Sequence, residues 1–162
     1  MASKTDFTAD EWELLLKAPG WTSIAVAAAS PSGPIGIVKE MFAAGKVMAQ
    51  AKAGGQNLLV EALMTDLATS EGRQKAQPTE ASGKSPSEIR SGAVDQLKRV
   101  AALVDAKAGG DAAGFKRWLA SLAEKVAEAA KEGGLLGIGG TRVDESEKAA
   151  LADIGKALGV SA

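Results

Sequence analysis

Glu124, Glu128 and Glu132 recur every four residues and so share one face of a helix. Three carboxylates on one face can bind a cation or a basic partner. A carboxylate di-iron centre would need glutamates paired with histidines three residues on, and the chain has no histidine. With Lys125 and Lys131 nearby, the expectation is a solvated helix face. A second set follows at once. Five of the eight residues from Gly133 to Gly140 are glycine, and the run carries Leu135, Leu136 and Ile138, with Arg142 just beyond. Glycine loops ahead of helices can wrap a phosphate in backbone amides. Here no Lys-Ser/Thr pair follows the glycines, so a P-loop is absent. The run follows a helical pattern and not a strand, which removes the dinucleotide fingerprint. Three readings stay open: a packed structural loop, an apolar loop that docks a partner or membrane, or an anion or ligand site with Arg142. Leu135, Leu136, Ile138 and Arg142 are the candidate contact residues.

Absent residue types narrow the chemistry further. Among 162 residues there is no His, Cys or Tyr. Histidine titrates nearest neutral pH and is the commonest metal ligand, so Ser-His-Asp and Cys-His constellations cannot be built. Thiolate zinc sites and disulfides are excluded too. Paired carboxylates with split pKa values, or a buried nucleophilic lysine, would remain available to an enzyme. No spacing in the chain places such a pair together. Catalysis is therefore disfavoured, with no catalytic, cofactor or metal residue assigned and no cofactor expected.

A formal net charge of −1 argues against a general nucleic-acid binder. Arg73, Lys75, Lys84, Arg90, Lys98 and Arg99 make the middle locally basic, but no aromatic lies between Phe42 and Phe115 to stack a base. They read as linker and helix surface. The start of the chain lacks the basic segment and roughly 7–15-residue apolar stretch of a signal peptide. The most apolar run, Ile24 to Ala29, falls far short of the ~20 residues that span a bilayer. The expected location is the cytoplasm.

The elements that must position these groups read as helices. Apolar residues make up 46% of the chain and charged residues 24%, with alanine prominent, which suits one globular helical domain over 1–162. Thr8 and Glu11 form a capping box, and Phe7 with Trp12 a hydrophobic staple, for a first helix from about Ala9 to Lys17, stopping before Pro19. Trp21 to Ala29 predicts a separate short, buried helix. Pro34 suits the first position of a third, with Val38, Met41, Phe42, Gly45 and Met48 in its stripe. Leu59, Val60, Leu63, Met64 and Leu67 predict a fourth. About 71–86 lacks periodicity and is expected to be a mobile linker. Ser85, Pro86 and Glu88 open a fifth helix, with Ile89, Ala93, Leu97, Val100, Ala101 and Val104 inward. Asp111 caps a sixth, with Phe115, Trp118, Leu119, Leu122, Val126 and Ala129 in its stripe. Asp144 and Glu147 box a last one, with Leu151, Ile154 and Leu158 inward.

Ala-Lys-Ala-Gly-Gly occurs at 51–55 and again at 106–110. It allows a duplicated helical hairpin, though these residues are also what helix C-termini use. Trp12, Trp21, Trp118, Phe7, Phe42 and Phe115 read as core anchors, with a pocket wall as the alternative.

Three stretches carry a resemblance: Phe7-Thr-Ala-Asp-Glu-Trp12, Ala29-Ser-Pro-Ser-Gly-Pro-Ile-Gly36, and Lys131-Glu-Gly-Gly-Leu-Leu-Gly-Ile-Gly-Gly140 running into Asp144-Glu-Ser-Glu-Lys148. Together they resemble a set of small prokaryotic proteins without assigned function. The resemblance implies a helical fold and supplies no activity.

The expected architecture is thus an all-α bundle of six or seven short to medium helices with Gly/Pro-marked turns. The expected function is non-catalytic: contacts with a protein partner, self-association into a homo-oligomer included, with no nucleic acid and no transmembrane segment. The alternatives are a binding module for an apolar small molecule or lipid between helices near Trp21, Phe42 and Trp118, and a histidine-free enzyme using carboxylates or a lysine.

Overall fold

A computed structural model describes residues 2–29, 57–78, 85–132 and 145–160. These residues form an all-α bundle, as the sequence predicts. Its helices are α1 (Ala9–Ala27), α2 (Leu58–Leu67), α3 (Ser70–Lys75), α4 (Pro86–Lys107), α5 (Asp111–Glu132) and α6 (Glu145–Leu158), and a 3₁₀ turn at Lys4–Asp6 precedes α1. The expected helix after Pro34, the first Ala-Lys-Ala-Gly-Gly copy and the Gly133–Gly140 run lie outside the described residues.

The expected break at Pro19 does not occur. Ala9–Ala27 is one helix with Pro19 inside it. A proline there removes the N–H that would bond the Leu15 carbonyl, a penalty of about 3 kcal/mol. Burial on both sides of the break outweighs that loss. Trp12, Leu15, Leu16 and Ala18 are buried before it, and every residue from Trp21 to Ala27 after it. Burying a single large apolar side chain stabilises by about 1.5–3 kcal/mol. The two hydroxyls in the buried stretch are satisfied within the helix: Thr22 Oγ1 donates to the Ala18 carbonyl and Ser23 Oγ to the Pro19 carbonyl, each at 2.9 Å.

The capping boxes at Thr8/Glu11 and Ser85/Glu88 form as predicted, the second with Pro86 in the first turn. The start of the expected linker is a correction. Ser70–Lys75 is a short helix capped by Thr69. Thr69 Oγ1 accepts from the Gly72 N–H at 2.9 Å and donates to the Asp66 carbonyl at 2.7 Å, which folds α3 back over the end of α2. Fewer than two turns of helix are too short to show periodicity, and the cap is what holds them. Gly72 is required there, because a Cβ would lie 2.0 Å from the Asp66 carbonyl oxygen. At the other end of the linker, Pro86 already belongs to α4.

α1 packs most extensively on α4 and then on α5, and α6 packs against α4 and α5. Leu15, Leu16, Leu97, Val100, Val104, Phe115, Leu119, Leu122, Ile154 and Leu158 are nearly inaccessible and form the centre of this core. α2 and α3 pack on each other and attach to the start of the bundle. Asn57 ties them there. Its side chain caps α2 through the Val60 N–H and donates to the Asp111 carbonyl at the start of α5. α6 ends in a Schellman motif: Gly159 takes φ +66°, and the Val160 N–H reaches the Gly155 carbonyl at 3.0 Å.

Candidate functional site

One group of charged side chains lies where the 3₁₀ turn, the first half of α1, and the α2–α3 pair meet. A cleft of about 240 Å³ opens there, lined among others by Lys4, Phe7, Trp12, Glu13, Asp66, Glu71 and Lys75. The staple Phe7 is buried against Trp12, ring centroids 5.9 Å apart. That contact fixes where the turn enters α1, and so brings Lys4 to the cleft mouth.

Asp66 is the hub. Its Oδ2 accepts from Trp12 Nε1 at 2.6 Å and from Lys4 Nζ at 2.7 Å. Lys4 Nζ also lies 5.8 Å from the centroid of the Trp12 ring. The Lys4 ammonium, and after it the Trp12 N–H, hold the Asp66 carboxyl below the usual carboxylate range, against partial burial, which pushes upward. Glu13 is drawn down by Lys17, and Glu71 by Lys75. Glu71 in turn raises Lys75. Just outside the cleft, Lys107 and then the Thr8 backbone hold Glu11 low, and Lys107 Nζ to Glu11 Oε2 is 2.6 Å. That pair joins the end of α4 to the start of α1.

Chemically, the cleft holds ionised carboxylates and charged amines. A general acid near neutral pH needs a raised carboxyl, and a lysine nucleophile needs a lowered amine. Every resolved shift in the cleft runs the other way. Among the described residues, no group of three or more carboxylates is placed to hold a metal ion.

Two further cavities lie on α4. One, about 470 Å³, runs between α4 and α6 and is lined by Arg90, Asp95, Lys98, Asp153 and Lys156 among others, with Arg90 paired to Asp153. Another, about 200 Å³, lies between α1 and α4 and is lined by Asp10, Glu13, Lys17, Trp21 and Arg99 among others. Trp21 is buried, and its Nε1 has no acceptor among the described residues.

The sequence-predicted contact residues Leu135, Leu136, Ile138 and Arg142 lie outside the described residues. Glu124 and Glu128 are exposed on α5, as a solvated face requires, and the side chain of Glu132 lies outside the described part. Of the basic residues, Arg73 donates to the Ala68 carbonyl, Lys98 pairs with Asp95, and Arg99 donates to Gln96. Sequence reasoning missed the Lys4–Asp66–Trp12 cluster. Asp66 is 54 residues from Trp12 and 62 from Lys4, so no local spacing marks it. The available signal was the predicted staple tryptophan, whose N–H needs an acceptor when buried; nothing in the sequence names Asp66 as that acceptor.

Comparison with protein-family models, curated proteins and solved structures found no match. Among the described residues, no helix is long and apolar enough to cross a membrane.

Proposed function

We propose that this chain is a non-catalytic helical protein of the cytoplasm that acts through protein–protein contacts, self-association included. The observation that carries the reading is that the charged groups of the cleft are held in hydrogen bonds and ion pairs: Asp66 by Lys4 and Trp12, Glu13 by Lys17, Glu71 by Lys75. Asp6, Glu11, Glu13, Asp66 and Glu71 are all drawn down by caps and ion pairs, and Lys75 is drawn up. Groups stabilised in their charged forms suit positioning and contact, and suit proton transfer poorly. The three cavities described above are lined by charged side chains, which favours a protein or polar partner over an apolar ligand.

The contact surface assigned in this proposal is Leu135, Leu136 and Ile138 with Arg142. A glycine-flanked apolar run beside an arginine has the composition of an interface centre with a polar rim. Sedimentation and light scattering over a wide concentration range, with pull-downs from a host lysate, test it. The expected result is association that Leu135→Asp and Leu136→Asp weaken while helicity is unchanged. A monomer at every concentration that captures nothing would overturn the reading.

A further inference from the structure

The corner between Trp12 and Asp66 already holds an alkylammonium. Lys4 places its Nζ 2.7 Å from Asp66 Oδ2 and 5.8 Å from the indole centroid. An ammonium over an indole face, in reach of a carboxylate, is an arrangement that selects cations. The occupant is removable. The Lys4 side chain is 58% exposed, and it rides on a three-residue turn. Beside it the cleft continues for about 240 Å³ along the buried Phe7 and Trp12, past Glu13 and Glu71. Setting Lys4 aside, Asp66 is the carboxylate of the lining left without an ammonium, since Glu13 pairs with Lys17 and Glu71 with Lys75. A ligand entering there should be cationic and small.

We propose that this corner binds small aliphatic amines. The ligand ammonium takes the place of Lys4 between Asp66 and the Trp12 ring, and its methylenes lie in the cleft along Phe7 and Trp12. Lys4 is then a tethered competitor, present at an effective concentration that a free amine must exceed. This goes beyond the protein-contact reading, and either can fail without the other.

The test is a titration of the full chain with 1,5-diaminopentane, followed at the indole N–H resonance of Trp12, the line that Trp12→Phe removes. In Lys4→Ala the expected result is a saturable shift, with an apparent affinity at least ~10-fold tighter than in the wild type. Adding Asp66→Asn to Lys4→Ala should abolish saturation, and 1-pentanol should produce no shift. Should the double variant fail to fold by circular dichroism, salt dependence in Lys4→Ala alone decides, because an ion-paired ligand must be displaced as salt rises. A flat titration in Lys4→Ala overturns the site. So does a shift that survives Asp66→Asn, is matched by pentanol, or is indifferent to salt.

Discussion

Trp12 and Trp21 lie on the same helix and are nearly equally buried, at 4% and 6% exposure. Trp12 donates its indole N–H to Asp66. Trp21 has no acceptor among the described residues. The contrast extends to the turns around them. The first half of α1 is tied by direction: the Thr8–Glu11 box, Lys107 on Glu11, Lys17 on Glu13, Trp12 on Asp66. The second half turns its two hydroxyls back on its own carbonyls and is otherwise packed from Trp21 to Ala27. A tryptophan ring buries ~150–250 Å², worth about 4–6 kcal/mol at ~25 cal/mol per Å². An orphaned N–H costs about 1–3 kcal/mol. Burial therefore outweighs the lack of an acceptor among the described residues at Trp21. What the polar contacts add at Trp12 is register: they select which neighbour α1 meets and at which turn.

If the second half is held by packing, cutting its core should have the largest effect. Ile24→Ala is expected to destabilise by about 2–5 kcal/mol in urea denaturation, equally at neutral and acid pH. A loss below ~1 kcal/mol would mean that this half is not held by its apolar contacts. The first half should instead respond to one carboxylate. Asp66→Ala leaves Trp12 as Trp21 already is among the described residues, with a buried donor and no acceptor. Its expected loss is about 1–2 kcal/mol, the low part of the range for charged hydrogen bonds, since the Asp66 side chain is 24% exposed. The sign with pH follows from the lowered Asp66 pKa. Its stabilisation is complete above the ordinary carboxylate range and is lost as pH falls through the depressed value. The wild type and Asp66→Ala should thus converge in acid, and a gap that persists there would show that the loss is packing.

Replacing each tryptophan by phenylalanine compares the halves directly. Both changes remove similar apolar area. Trp12→Phe also breaks a hydrogen bond to a charged acceptor, whereas Trp21→Phe removes a donor with no acceptor among the described residues. Trp12→Phe should be the more destabilising by roughly 1–2 kcal/mol. In an Asp66→Ala background the difference should close, as the double-mutant cycle requires if Asp66 is its source. Equal losses in the wild-type background would mean that Trp21 Nε1 finds an acceptor in solution.

What the sequence made legible follows the same division. Caps and stripes are local, so the Thr8 and Ser85 boxes, the α4 stripe from Ala93 to Val104, and Phe115, Leu119 and Leu122 of α5 were all readable from spacing. Continuity through Pro19 was not, because it depends on burial by α4 and α5, which no local window contains. α3 was hidden for the opposite reason: at six residues it has no periodicity, and its hold is the Thr69 cap and the close approach at Gly72. The Asp66 cluster joins three separate stretches of chain, and its members share no motif. The apolar run at 135–138 was readable as composition, and its role stays with the proposal.

The smallest expected effect lies at the junction of the two halves. Gly20 follows Pro19 inside α1, and both lower helix propensity there. A Cβ at Gly20 would meet Pro78 Cδ at 3.5 Å and the Ala76 carbonyl at 3.6 Å, which is ordinary contact. Its φ is not in the left-handed region, since the glycines with positive φ among the described residues are Gly109 and Gly159. Nothing in the local geometry therefore requires glycine. Gly20→Ala should stabilise by about 0.5–1 kcal/mol, chiefly by reducing the freedom of the unfolded chain. It should also slow amide exchange in the turns on both sides of Pro19. A destabilising Gly20→Ala would mean that the halves move against each other at this point, with the contacts at Trp12 and the packing at Trp21 held in separately opening units.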